Sequence, residues 1–223
     1  MRPSPTPGAL RRQGAATQVL LVVGLLLLVS GCTAPVDDLA ARVGAGATGY
    51  RRGVVPPVPY VVPAVTLTDT SGRAYDLAAS PARPVTLLFF GYTSCEDVCP
   101  GVLADLALAL RRLPAADRDK ITTVFVTTDP ERDDPARIRA HLDRFDRDFV
   151  GLTGTGADLL TAAHAVGVQV EGRRERPHGG YALGHSAHVV GVDGDGHGVV
   201  LWNPGVPVAD LAHDLGVLVA RTA

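Results

Sequence analysis

Apolar residues recur along this chain with two spacings that alternate. Val85-Thr86-Leu87-Leu88-Phe89-Phe90 is almost continuously apolar, the pattern of a strand covered on both faces. Residues 102–112 place Leu103, Leu106 and Leu110 at helical spacing. Residues 121–128 are rich in β-branched side chains and predict a second central strand. A helix follows over 135–145, opening on Pro135, which suits a first helical turn. Then come a short strand at 149–152, a helix at 157–166, a short strand at 168–170 and a closing helix at 208–220. Two hairpins complete the pattern. One joins 65–68 to 74–77 through Asp69-Thr70-Ser71-Gly72, the other joins 187–192 to 199–202 through Asp193-Gly194-Asp195-Gly196. This alternation predicts an α/β domain over 64–223, a mixed central sheet flanked by helices with added hairpins. Residues 171–184, with three arginines, Pro177, Gly179 and Gly180, fit neither spacing and predict a mobile loop.

The first 63 residues read differently. Arg11 and Arg12 precede an apolar run at 19–29, shorter than the ~20 residues of a spanning helix. A basic start, a short apolar run and small residues up to Gly31 predict a secretory signal over 1–31. Val29-Ser30-Gly31-Cys32 resembles a lipobox, which makes Cys32 the expected lipidation site. Residues 32–63 are rich in Pro, Gly and Ala and predict a tether ending in an extended entry to the domain.

The formal net charge of −2 offers no basic field for nucleic acid. Removing residues 1–31 leaves 18 basic against 23 acidic side chains. Of three cysteines, a lipidated Cys32 leaves Cys95 and Cys99 as a pair. They follow the apolar strand at 85–90, and strand ends that feed helices are where α/β sheets place their sites. Four residues apart on a helical turn, their sulfurs face one side, open either to one metal or to a disulfide. A bridge closing so short a loop stabilises little, which favours chemistry over a staple. Among seven histidines His185 stands out, at the junction of the loop and a strand, with His188 and, less strongly, His178 as rivals. Strand alternation would put His188 on the opposite face from His185. Two thiolates and an imidazole in an exported protein point to copper, with zinc the competitor.

The decapeptide Gly91-Tyr92-Thr93-Ser94-Cys95-Glu96-Asp97-Val98-Cys99-Pro100 resembles the signature of the Sco/SenC family of copper chaperones. Thr128-Asp129-Pro130-Glu131-Arg132-Asp133-Asp134-Pro135 is similar to its second motif, and Gly184-His185-Ser186-Ala187 to its third. The resemblance implies a thioredoxin-like, three-layer fold, a membrane anchor, and one copper ion, Cu(I) or Cu(II), held by Cys95, Cys99 and His185. It implies a role in assembling the dinuclear copper centre of cytochrome c oxidase, with subunit II or another copper acceptor and a thiol–disulfide reductant as partners. The expected location is the outer face of the cell membrane. Ser94 replaces a family histidine, Glu96 a proline, and Gly184 an aspartate able to orient the imidazole. Asp129 and Glu96 are the expected neighbours of the ligands. The rival reading is a thiol–disulfide oxidoreductase, or a peroxidase-like enzyme, using Cys95 and Cys99 without metal. A thioredoxin-like binding module with a structural disulfide is the plainest alternative.

Overall fold

The structure, a computed structural model, describes residues 48–80, 83–177 and 179–222. The signal segment, Cys32, the first part of the tether and His178 lie outside the described residues. Strands β1 (Tyr60–Val61), β2 (Thr66–Asp69), β3 (Ala74–Asp76) and β4 (Val85–Gly91) come first. They are followed by α1 (Val98–Arg112), α2 (Ala115–Arg118), β5 (Ile121–Thr127), α3 (Pro135–Leu142), β6 (Val150–Thr153) and α4 (Gly156–Ala165). The chain closes with β7 (Val170–Glu175), β8 (Tyr181–His185), β9 (Val189–Val192), β10 (His197–Trp202) and α5 (Val208–Arg221).

Eight strands form one mixed sheet in the order β1-β10-β9-β4-β5-β6-β2-β3. β4, β5 and β6 run parallel, and β9 joins β4 antiparallel. β4 is therefore central, and every residue in it is buried. Its side chains alternate between two cores, because successive residues of a strand point to opposite faces. Val85, Leu87 and Phe89 pack with Leu103, Leu106, Ile138, Leu215 and Leu218. Leu88 and Phe90 pack with Leu159, Ala162, Ala163 and Val166. Helices thus cover both faces, giving the three layers expected. Among the described residues no helix is long and apolar enough to cross a membrane.

Two local readings are corrected. Residues 171–184 are mostly strand, not loop: β7 and β8 pair antiparallel as a separate two-stranded sheet. His185 ends β8 instead of preceding a strand, and β9 begins only at Val189. The alternation argued for His188 therefore has no strand to act on. His188 is half-buried, its ring bonded to the backbone of Val166 and its pKa lowered by burial.

The end of the tether is docked, not free. Val54 exchanges backbone hydrogen bonds with Leu201 of β10 at 2.8 and 2.9 Å. Tyr50 is buried edge-on against Trp202. The fully buried Asp214 accepts the backbone N–H groups of Arg51, Arg52 and Gly53 and the indole N–H of Trp202.

His141 on α3 gives the domain a pH dependence. It is buried between Phe125 and Phe145, with the Arg144 guanidinium at Nδ1. Burial first, and the Arg144 charge second, push its pKa down to about 4. In the unfolded chain it titrates near ~6.5. The unfolded state therefore takes up the proton first as pH falls, and stability is lost between about pH 6.5 and 4. The loss is on the order of 3 kcal/mol. Urea unfolding at pH 7.5 and 4.5 should show it, and His141→Gln should flatten the difference. An equal acid loss in that variant would assign the effect to other groups.

Candidate metal centre

The parallel pairing of β4 with β5 brings two loops to one end of the sheet: 92–97 after β4 and 128–134 after β5. Asp133 ties them together. Fully buried, it accepts the Thr93 N–H at 2.8 Å, the Thr93 hydroxyl at 2.5 Å and the Thr127 hydroxyl at 2.7 Å. Arg137 reinforces the tie through the hydroxyls of Thr93 and Ser94. The cysteine loop is thereby fixed before α1 begins.

α1 starts at Val98, so Cys99 lies in its first turn and Cys95 precedes it. The expected shared helical turn holds for Cys99 alone. Asp97, the N-cap residue, makes no side-chain cap. The Cys95 sulfur instead accepts the backbone N–H groups of Asp97 and Cys99 at the helix start. Helix N-termini favour negative charge, and a thiolate is that charge here. The Cys99 thiol donates to Cys95, and that bond is the main reason the Cys95 pKa is held far below the ordinary thiol range. His185 and the two backbone donors lower it further, against the opposing effect of burial. Cys99 is pushed up, by donating to Cys95 and then by its burial. The reduced pair is thus a half-buried thiolate at Cys95 and a buried thiol at Cys99.

Gly91 leaves room for this pair, since a Cβ there would come within 3.0 Å of both Cys99 Sγ and the Phe125 ring. His185 Nε2 lies 3.6 Å from Cys99 Sγ. Its Nδ1 is 3.0 Å from the carbonyl oxygen of Ser186, an acceptor only. Nε2 is therefore the ring nitrogen that faces the sulfurs, while Nδ1 faces the backbone. The Tyr92 ring meets His185 edge-on, with centroids 5.8 Å apart.

Cys95, Cys99 and His185 lie at the same end of the sheet, with Cys99 contacting each of the other two. Asp129 and Glu96 are placed differently. Asp129 is buried, accepting Arg132 Nε at 2.5 Å and the Tyr181 hydroxyl at 2.7 Å, so it supports β8 and not the thiols. Its carbonyl also caps the turn before α3. Glu96 is exposed and pairs with Arg176 on the β7–β8 turn at 2.8 Å. A side chain at Gly184 would collide with the Glu171 carboxylate. The sequence assigns no role to Tyr92, Asp133 or Tyr181, the first two standing in the motifs without one. For Tyr181 a signal was present, since Tyr181, Leu183 and His185 alternate as on one strand face.

Among the described residues, the donor set whose atoms all lie within 4.8 Å of one another is Asp193, Asp195 and His197. Asp193 there already caps its hairpin turn, accepting the N–H groups of Asp195 and His197. It offers hard oxygens, unlike the sulfur pair. The donor atoms of Cys95, Cys99 and His185 do not all lie within 4.8 Å of one another.

The SCO1/SenC family model matches residues 58–220. The chain belongs to the SCO1/SenC family. A Stutzerimonas stutzeri protein described as a candidate copper binder is 30% identical over 172 residues, covering 77% of this chain and 82% of its own. The copper-bound structure of Bradyrhizobium japonicum ScoI is similar at TM-score 0.60 and 30% identity, covering 74% of this chain and 98% of that one. Apo Sco1 of Thermus thermophilus is similar at TM-score 0.61 and 31% identity, covering 76% and 94%. The fold is the thioredoxin-like fold of the Sco structures, a mixed sheet between helices.

Proposed function

We propose that this SCO1/SenC protein carries copper as cargo on Cys95, Cys99 and His185 and hands it to an acceptor, subunit II of cytochrome c oxidase being the acceptor the motifs imply. The observation that carries the reading is His185 Nε2 facing the dithiol, 3.6 Å from Cys99 Sγ. Disulfide exchange does not require an imidazole at the pair, although one favours the thiolate, whereas metal retention does require a third donor. The donors suit copper: two sulfurs and one nitrogen form a soft, imidazole-completed set. The copper-bound state of Bradyrhizobium japonicum ScoI is consistent with this cargo.

The residues divide the work. Cys95, already a thiolate, makes the first capture. Cys99 gives up its proton as it becomes a ligand, so loading releases a proton. His185 completes the set. Cys95, at the half-buried rim, is the first position open to an acceptor's thiolate.

One arrangement favours a second reading beside the first. A half-buried thiolate backed by a buried thiol is an attacking and resolving pair. Cys95 would attack an acceptor disulfide, and Cys99 would then displace the acceptor's sulfur. That leaves a Cys95–Cys99 disulfide and moves two electrons to the acceptor, whose pair is reduced.

Copper titration of the reduced protein separates the readings. One ion should bind per chain. His185→Ala should weaken binding tenfold or more, at least ~1.4 kcal/mol, while His188→Ala should change little. Wild-type affinity in His185→Ala, with disulfide reduction intact, would leave only the second reading.

The same proposal includes a lipid anchor at Cys32 on the outer face of the membrane, supported by the apolar run ending at Gly31-Cys32. Cys32→Ala should release the protein from membranes or leave its precursor uncleaved. Processed protein still sedimenting with membranes would rule the anchor out.

A further inference from the structure

β7 and β8 form a sheet of their own, with no strand among the described residues pairing it to the eight-stranded sheet. Every described residue of β7 and β8 is exposed or half-buried. Val170, paired with His185 at the base of the hairpin, packs against the core, whereas the end that carries Tyr181 does not. Side-chain attachments fix its position, and the most elaborate centres on Tyr181. The Tyr181 hydroxyl donates to the buried Asp129 at 2.7 Å. Its ring lies between two guanidinium groups, Arg132 at 3.6 Å and Arg173 at 4.1 Å from the centroid. Arg132 also donates to the Tyr181 carbonyl at 3.1 Å and to Asp129. Asp129 is held in turn by its N–H on the Thr127 hydroxyl at the end of β5. An unbroken chain of contacts thus runs from the central sheet to Tyr181.

Tyr181, Leu183 and His185 share one face of β8, since side chains alternate along a strand. Four residues at ~3.3 Å rise put His185 roughly 13 Å from this pin. Between them the Leu183 N–H reaches the Tyr92 hydroxyl at 3.4 Å, a long bond. The Arg176–Glu96 pair is exposed on its acidic side, and exposed pairs hold weakly. His185, beside the Gln169–Ser186 hydrogen bonds at the base, takes its place from both ends of the hairpin, and Tyr181 fixes the far one. We infer that Tyr181 is a positioning residue that pins the β7–β8 hairpin to the Asp129–Arg132 pair and so sets the reach of His185 to the dithiol. The inference rests on the proposed copper reading only for its functional consequence.

The test is a cycle of Tyr181→Ala, Tyr181→Phe, His185→Ala and the double variant Tyr181→Ala/His185→Ala. Two readouts need no metal: amide hydrogen exchange and the ring resonances of His185. In metal-free, reduced Tyr181→Ala, exchange over residues 170–185 should speed up while β4 and β5 stay protected. The His185 ring should lose the shift imposed by the Tyr92 edge. Tyr181→Phe keeps the stacked ring and should restore most of both. The third readout is Cu(I) affinity by competition with a chromophoric chelator. Tyr181→Ala should weaken it about tenfold to a hundredfold, as loss of a ligand's supporting partner does. It should add nothing in the His185→Ala background. Unchanged His185 resonances in Tyr181→Ala would overturn the inference, as would an equal affinity loss with and without His185. Wild-type protein that retains no copper would defeat the copper reading instead, and the metal-free readouts would still decide the role of Tyr181.

Discussion

Replacing Cys95 or Cys99 with serine should reduce copper retention by the reduced protein to background and end disulfide formation within the chain. A serine hydroxyl is a hard donor that stays protonated where a cysteine here does not, so it cannot take the place of a thiolate. The affinity loss should exceed about a thousandfold, or ~4 kcal/mol. The two variants should still differ in one respect. In Cys99→Ser the Cys95 sulfur loses its thiol donor, the largest contribution to its low pKa. Cys95 should then be less ionised at a given pH and alkylate more slowly in mildly acidic buffer. In Cys95→Ser the remaining sulfur is buried and should resist alkylation altogether. Copper per chain after gel filtration, with alkylation rates followed by mass spectrometry, checks both statements. A single-serine variant that keeps one tightly held copper would place the metal elsewhere, with Asp193, Asp195 and His197 the next set to test.

The central layers of the fold were legible because burial writes itself into the sequence. The run at 85–90 is apolar on both phases of the strand, and β4 is covered on both faces. Leu103, Leu106 and Leu110 recur with the helical period, and all three meet the sheet. The β7–β8 hairpin was not legible for the converse reason. Beyond Val170 at its base it packs no side chain on the core, so most of its alternation is carried by arginines, glycines and one tyrosine. The dithiol and His185 were legible as chemistry, since sulfur and imidazole are scarce and stand at element ends. The groups that orient them were not. Asp133 looks like one more acid in an acidic motif, yet it ties Thr93 to Thr127. Asp129 was expected beside the ligands and instead serves Tyr181 and Arg132, because only the folded chain brings residues 52 apart into contact.

Asp214→Ala should detach the end of the tether and cost on the order of 3–5 kcal/mol. Both carboxylate oxygens are in use: Oδ1 takes the Arg51 N–H at 2.6 Å, and Oδ2 takes Arg52, Gly53 and the Trp202 indole at 2.8–3.1 Å. Alanine leaves four donors without an acceptor in a place that excludes water. The three backbone donors recover water only if residues 51–53 lift away, which also uncovers Tyr50 and the Trp202 edge. Asp214→Asn keeps one acceptor oxygen but turns an amide N–H toward the other donors, so it should fall between wild type and alanine. For a domain of this size the melting temperature should drop by roughly 10 °C in the alanine variant. Trypsin gives the local readout, because the released segment carries Arg51-Arg52. Their side chains pair with Asp210, but those pairs are exposed and should not hold the segment by themselves. Rapid cleavage at 51–52 ahead of any cut in the sheet would show that one buried carboxylate fastens the tether to the domain. Continued protection there, with an unchanged melting temperature, would mean that the Val54–Leu201 pairing and the Tyr50 contact suffice without it.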